Sequence, residues 1–571
     1  MLKRLPLLTL LVIIATACAS PRPASRESGS APASSQPGPD QTRMLVMATR
    51  NEPFSVAAKP LRFVASQSST SILFNATLDA LDERGKTRPY LAEALPEVNT
   101  ESWQVFPDGR METRYRLKPN LTWHDSTPLS AEDFAFAWRL YSSPEHGVSR
   151  TIPLSSIDEV VALDDRTIVF RWRTLYPDAD SIREGFQALP RHILEAAVQD
   201  LDPESLAAHP FWQREYVGLG PYRMDLWEPG AYFEGRAFAG YVLGKPKIER
   251  LQVRFIPDNN TVLANLLADE VHIAVDFSTR LEQGEVLEQE WGPRQGGTVL
   301  MSPTLFWRTY FQFRPDIVKP RALLDVRARR ALAHVIPKQA INEALVAGKA
   351  VLADSNIYAK EDYYPQIEPG ITKYPFDVRQ AQQLLEDAGF AKQGDGFYAS
   401  PDGEQFAPEV YTTSATAQEA ENAIIVDTLR RAGIAASAHI IPARQQQDGR
   451  VRSTFASMQT GGGGGGERGF AEYRSDEISG PDNRWTGRNR GGWSYAEYDR
   501  IWEAYSTTLV RSERIQRIAE LTRVFSEQVP AIPHFYQIQI TPHVAALRGP
   551  MARVVPEAAP EVFNINEWSW R

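Results

Sequence analysis

The sequence predicts an α/β fold of several domains, and three observations carry the prediction. Short runs alternating apolar and polar residues recur along the chain with amphipathic helical stretches between them, the pattern of mixed sheets covered by helices. The composition, 43% hydrophobic and 23% charged, is that of an ordinary globular protein, and no repeat of solenoid period is present. More than 500 residues lie beyond Met44, about three domains' worth.

At the N-terminus, Lys3 and Arg4 precede an apolar run from Leu5 to Ile14, and Ala15-Thr16-Ala17-Cys18 follows as a small-residue cleavage site. This predicts a signal peptide over 1–17, too short for a stable membrane span. Cys18, the one cysteine, falls where a bacterial lipoprotein carries its acylated residue; an ordinary signal peptide with an incidental cysteine is the alternative. Residues 18–43 then read as a lipid anchor and tether. Their Ser, Pro, Ala and Gly content buries too little surface to fold, and such a chain reaches about 30 Å.

Arg62-Phe63-Val64-Ala65 opens a strand-like run, Ser66–Ser71 is a polar loop, and Ile72–Leu81 reads as a helix. Pro107-Asp108-Gly109 is a turn between Glu101–Phe106 and the alternating Met111–Leu117, which predicts a hairpin. Ser130 with Asp133 three residues on predicts a capped helix start. A second hairpin turns at Asp164-Asp165. Asp202 caps a helix through Trp212 with Pro203 at its first position. Strands from Gly218 to Ile256 lead to a helix over Thr261–Ala268 and a buried strand over Val271–Asp276.

The second half repeats the mix. Helices are predicted over Asp325–Ala333, Lys338–Ala347, Asp377–Ala388, Ala417–Ala432, Tyr495–Leu509 and Ser512–Gln528, with Gly389 and Gly433 as stops. Ile434–Ile441 is a strand.

Chemistry is sparse. A net charge of −9 argues against a nucleic-acid partner. Nine histidines and one cysteine supply no zinc-ligand spacing, so no metal or cofactor is expected, and no nucleophile elbow appears. The chain reads as a non-enzyme without catalytic residues. The run Gly461–Gly466 lacks the Lys and Ser/Thr of a phosphate loop, being followed by Glu467-Arg468, and reads as a mobile loop or a close backbone approach to a ligand. His124, in Trp123-His124-Asp125, reads as a turn residue. The polar, irregular stretch 467–493 is the expected ligand-contact region. Arg, Asn and Trp there suit hydrogen bonding and stacking, and Glu467, Asp476, Arg484, Trp485, Asn489, Arg490 and Trp493 are the candidate ligand-binding residues.

Several segments resemble one family in its own order. They are Pro89-Tyr-Leu-Ala-Glu-Ala; Arg116-Leu-Lys-Pro-Asn-Leu-Thr-Trp-His124-Asp125 running on to Glu132-Asp133; Val217-Gly218-Leu-Gly220-Pro221-Tyr222; Tyr241-Val-Leu-Gly244-Lys-Pro-Lys; Leu266-Leu-Ala-Asp-Glu270-Val-His-Ile-Ala; Asp325-Val-Arg327-Ala-Arg-Arg330; and Tyr374 through Gly389. Together they resemble the extracellular solute-binding family 5 of ABC importers, which takes in oligopeptide-, dipeptide- and nickel-binding proteins. Ser126 and Leu219 depart from the family pattern.

The resemblance implies a two-lobed type II periplasmic-binding-protein fold with an extra domain inserted in lobe one. Lobe one would span 44–300, with the extra domain at about 90–214, lobe two 301–531, and residues 532–571 would return to lobe one. It implies a monomeric, exported binding lipoprotein in the periplasm or at the cell surface, anchored through Cys18, that delivers a peptide or similar polar solute to a permease and ATPase complex. An oligosaccharide, opine or metal chelate as solute, or a ligand-sensing role, is the alternative. Peptide-binding members carry a lobe-two carboxylate for the peptide's amino terminus, and Glu467 or Asp476 is the acid available here.

Overall fold

The computed structural model describes residues 43–61, 69–146 and 153–571. The signal peptide, Cys18 and the tether up to Thr42, and most of the strand-like run and loop expected over 62–71, lie outside the described residues.

A ten-stranded sheet runs through the body. In spatial order its strands are Ser437–Ile441, Glu409–Thr413, Met458–Gly463, Gly297–Phe311, Ala531–Val544, Ile273–Ala274, Leu45–Thr49, Arg250–Phe255, Tyr232–Ala237 and Tyr222–Glu228. The two central strands are the longest, and they pair antiparallel from Gly297 opposite Val544 to Tyr310 opposite Ala531. The register shifts twice, between Pro303 and Phe306 and between Trp307 and Arg308. Such bulges bend a strand and increase its twist. Buried apolar residues divide at these strands. One core gathers side chains from Leu45 to Trp291 and again from Val544 to Trp568, while two others gather side chains from Trp307 to Phe535 and from Tyr310 to Ala531.

A separate four-stranded sheet stands apart from the long one. Trp103–Val105, Met111–Arg116, Thr167–Trp172 and Ile157–Ala162 lie side by side in that order. Both expected hairpins are present in it, and Met111–Arg116 alternates buried and half-buried residues as its sequence does. The helix Ala131–Ser142 begins as its cap predicts, with the Asp133 carboxylate accepting from the Ser130 N–H at 2.9 Å.

Two expected elements differ. In place of a helix over 72–81, a short 3₁₀ turn, Ser69–Leu73, gives way to a strand at Asp79–Leu81. Asn75 and Asp79 explain the difference, because their side chains hold distant backbone. Asn75 donates to the carbonyls of Val56 and Ser71, and Asp79 accepts from the N–H groups of Ile182 and Arg183, both at 3.0 Å. Such competition with the backbone disfavours a helix. The helix capped by Asp202 ends at Ala207 and does not reach Trp212, because Pro210 lacks the N–H that continuation requires. Elsewhere the predicted helices stand within a few residues of their expected bounds, and Gly389 and Gly433 adopt the left-handed stop conformation.

Both central strands are tied to the helix Thr416–Arg431 by one buried polar group. Glu421 accepts from Trp307 Nε1 at 2.7 Å and contacts His534 Nδ1 at 2.8 Å, and Thr309 Oγ1 lies 2.9 Å from His534 Nε2. Glu421 and His534 are inaccessible to solvent. Removing one member leaves the others buried without partners. Glu421→Ala is therefore expected to cost about 3 kcal/mol of unfolding free energy, measured by chemical denaturation; a loss within experimental error would show that the network carries no stability.

Candidate functional site

Between the two sets of cores lies a cleft of about 2370 Å³. Drug-sized sites occupy roughly 300–1,000 Å³, so this one has room for a longer solute. Its lining includes the stretch 71–90, the loop 174–183 that follows the four-stranded sheet, Asp276 and Phe277, the C-terminal segment 551–567, and, on the opposite side, the region from Arg468 to Arg514.

An ion pair crosses the cleft, Arg514 Nη1 to Asp178 Oδ1 at 2.8 Å. Arg514 is backed by neighbours on its own side, donating to the Tyr505 hydroxyl at 3.0 Å. That hydroxyl in turn donates to Glu467 at 2.9 Å, and Glu467 is gripped in two places by Arg511, at 2.6 and 2.9 Å. Bidentate guanidinium–carboxylate contacts of this kind are the strong ones. Burial would raise the Asp178 carboxyl, but Arg514 and Arg468 beside it outweigh burial and hold it below its ordinary value.

Other carboxylates around the cleft lack that compensation. Burial pushes Asp79 up to about 7, against the backbone N–H of Arg183, and burial together with the nearby Asp178 pushes Asp180 up to about 6. Glu361 rises to about 7 through burial and the charge of Glu467, and Glu557 to about 7 through burial against the pull of Arg468. Crowded carboxylates with displaced pKa values mark functional sites more often than structural ones.

Phe277 is held in a costly conformation. It and Asp276 have φ of +56° and +53°, a left-handed pair that aspartate tolerates and phenylalanine does not favour. The turn is fixed by Asn259, which donates to the Ser278 carbonyl at 2.7 Å, and by the Ser278 hydroxyl, which donates to Val275 at 2.6 Å. The result is a phenyl ring 40% exposed in the cleft wall. Strain of this sort persists where the surroundings over-determine it.

Of the seven residues expected from the sequence, Asp476 lines the cleft, where it pairs with Arg474. Glu467 lies behind the wall, engaged by Arg511 and Tyr505. Arg484 and Trp485 occupy a left-handed turn at φ +53° and +63°, where the Trp485 N–H donates to the Gly480 carbonyl at 2.8 Å. Asn489 organises its own loop, donating to the carbonyls of Arg474 and Trp493 and accepting from the N–H groups of Gly492 and Trp493. The Arg490 carbonyl accepts from Arg314 at 2.8 Å, and Trp493 is buried, stacked on Tyr495 and edge-on to Tyr498.

Half of the glycine run, Gly461–Gly463, is a strand and not the expected mobile loop. Met458–Gly463 is a strand paired with the first central strand. A Cβ on Gly462 would lie 2.9 Å from the Trp307 ring, and one on Gly463 would overlap the Arg308 guanidinium. Gly466, at φ +63°, would place its Cβ 2.5 Å from the Glu557 carboxyl carbon. Glycine is required there because large side chains press on the backbone.

His124 is structural. It is buried, accepts from the Gly218 N–H at 3.1 Å through Nδ1 and faces the Gly220 carbonyl at 3.1 Å through Nε2. Burial pushes it down to about 4. A lowered histidine pKa means that the unfolded chain takes up a proton first, so this stability is complete above pH 6.5 and is lost as pH falls toward 4. Measured by urea denaturation, the advantage of the wild type over His124→Gln is expected to shrink by about 3 kcal/mol between pH 7 and pH 4; an advantage constant with pH would contradict the neutral, buried assignment. Phe277→Gly is expected to leave the melting temperature unchanged or raise it, because glycine relieves the left-handed strain, while weakening solute binding; lost stability with intact binding would show the ring to be structural.

Comparison with known proteins agrees with this architecture. The profile described as Bacterial extracellular solute-binding proteins, family 5 Middle, matches residues 95–474. The oligopeptide-binding protein AppA of Bacillus subtilis is 22% identical over 450 residues, 77% of this chain and 76% of that protein. Against ABC transporter peptide-binding proteins of Brucella species, at 25% identity, the chain spans about half the length of the curated relatives it matches, 51% of each. Among solved structures, NikZ from Campylobacter jejuni in complex with Ni(L-His) superposes with a TM-score of 0.72 at 22% identity, covering 92% of this chain and 99% of that one. The periplasmic EDTA-binding protein EppA superposes at 0.76 with 13% identity, covering 92% and 96%. These relatives and neighbours are binding proteins, not enzymes. With the family profile covering well over half of its length, the chain belongs to the bacterial extracellular solute-binding proteins of family 5.

Proposed function

We propose that this protein captures a peptide or similar polar solute between two closing lobes and delivers it to the permease and ATPase of an ABC importer. The cleft carries this reading: it exceeds a drug-sized site, its walls belong to separate cores, and one ion pair, Asp178–Arg514, already spans it. The central strands, bulged at Pro303–Phe306 and Trp307–Arg308, supply the bending element that closure about a hinge needs. The division into lobe one at 44–300, lobe two at 301–531 and a return over 532–571 draws support from the separation of cores, and the extra domain at about 90–214 from the separate four-stranded sheet. The names of relatives point toward peptides: AppA of Bacillus subtilis is called an oligopeptide-binding protein, and GsiB of Pectobacterium atrosepticum a glutathione-binding protein. Asp476 is the expected residue that lies best for contact with solute.

The same proposal has the chain exported to the periplasm or cell surface and held, as a monomer, to a membrane through a lipid on Cys18. Support for the anchor comes from the charged, apolar and small-residue order of the first 18 residues. Among the described residues no helix is long and apolar enough to cross a membrane.

Purification of the full chain under native conditions, followed by denaturation and mass spectrometry of released small molecules, is expected to yield short peptides. Release of a sugar, an opine or a metal chelate would overturn the peptide assignment and leave capture by the cleft standing. Metabolic labelling with radioactive palmitate is expected to mark the wild type and not Cys18→Ala; equal labelling of the two would remove Cys18 as the anchor.

A further inference from the structure

Most charged side chains facing the cleft are matched within the protein. Arg88 pairs with Asp82, Arg514 with Asp178, Arg474 with Asp476, and Arg488 with Glu477. Glu557 and Arg468 are different. Both line the cleft and are exposed to it, yet neither side chain has a hydrogen bond or an ion pair within 4 Å among the described residues. They come from opposite walls, Glu557 from the C-terminal segment and Arg468 from the short helix Gly466–Gly469. Rim carboxylates such as Glu503 also lack partners but stand on an open helix surface. Glu557, in contrast, reaches across to the facing wall: its carboxyl group packs against Gly466, and Arg468, Glu467, Arg183 and Glu361 supply the charges around it. Across from Arg468 stand Asp178, already engaged by Arg514, and Tyr176.

Charged groups that face a cleft from opposite walls and hold no hydrogen-bonded partner in the protein are free to form charge-assisted hydrogen bonds with a solute. We propose that Glu557 and Arg468 are the two charges that read the solute, Glu557 taking an ammonium or guanidinium group and Arg468 a carboxylate. The solute class is then a zwitterion with separated charges, such as a short peptide with both ends free. The two residues act from opposite walls, so one solute bridging them favours lobe closure, as the Asp178–Arg514 pair does within the protein. This assignment rests on the reading that the cleft is the solute site.

The test is isothermal calorimetry of the full chain in detergent, stripped of bound solute, with trialanine, N-acetyl-trialanine and trialanine amide. Trialanine is expected to bind, and Glu557→Gln to weaken it about tenfold or more. N-acetylation should cost as much and make Glu557→Gln silent, because the cation that it reads is gone. Amidation should stand in the same relation to Arg468→Gln. Glu557→Gln is not expected to lower the melting temperature, since the carboxylate has no hydrogen-bonded partner to lose, whereas Arg468→Gln gives up a charge that helps keep Asp178 ionised. If both variants bind trialanine as tightly as the wild type, or if Glu557→Gln weakens the acetylated probe equally, the assignment falls and the peptide reading survives. Failure of all three probes to bind the wild type at millimolar concentration overturns both.

Discussion

The pairing of Gly297–Phe311 with Ala531–Val544 is the constraint on which the rest of the body depends. One long sheet serves both sides of the cleft because these two strands run through from one set of cores to the other. On one flank the second strand pairs with Ile273, and on the other the first strand pairs with Met458–Gly463. Backbone hydrogen bonds therefore continue across the boundary where the apolar cores stop. The walls of the cleft are joined by a ribbon that resists sliding, because a one-residue slip in register would exchange the faces of its side chains. It still bends at the irregularities between Pro303 and Arg308.

Close packing around that ribbon explains a segment whose composition suggests freedom. Six consecutive glycines read as a loop on composition alone, yet half of the run is a strand, and its neighbours press against Trp307, Arg308, Tyr536 and Glu557. Glycine is used here for the absence of a side chain as much as for its range of φ. Arg308 illustrates the economy of the arrangement: it is 6% exposed, paired to Glu472, and lies near the rings of Phe306, Tyr310 and Tyr473. A side chain at Gly463 would displace it.

Much of the fold was legible because its signals are local. The Ser130 cap, the Pro107-Asp108-Gly109 turn, and the Gly389 and Gly433 stops each depend on a few neighbouring residues, and each is present. The failure at Ile72–Leu81 came from Asn75 and Asp79, whose decisive partners at Val56, Ile182 and Arg183 are remote in sequence. The cleft was less legible for the same reason. Loop composition pointed to 467–493, but Asn489 and Trp493 serve their own loop and core there. Asp178, Arg514 and Glu557 lie far apart along the chain and become neighbours only when the walls meet. Nothing in the sequence distinguishes Phe277 from any core phenylalanine; its exposure follows from a backbone conformation that tertiary contacts impose.

The division of the cores also orders the events of synthesis. The cores built from Trp307 to Phe535 draw on one continuous stretch of chain, so that part can complete its interior as soon as the stretch has emerged. The other core needs Val562, Ile565 and Trp568, with Trp568 inaccessible and donating to Asn564 at 2.8 Å. Those apolar pieces come after every residue of the other two cores. A core started before the other two is closed after them, and during that interval it exposes the apolar surface those side chains later cover. Loss of the segment from Val562 to Trp568 would thus be felt in the packing of segments made hundreds of residues earlier.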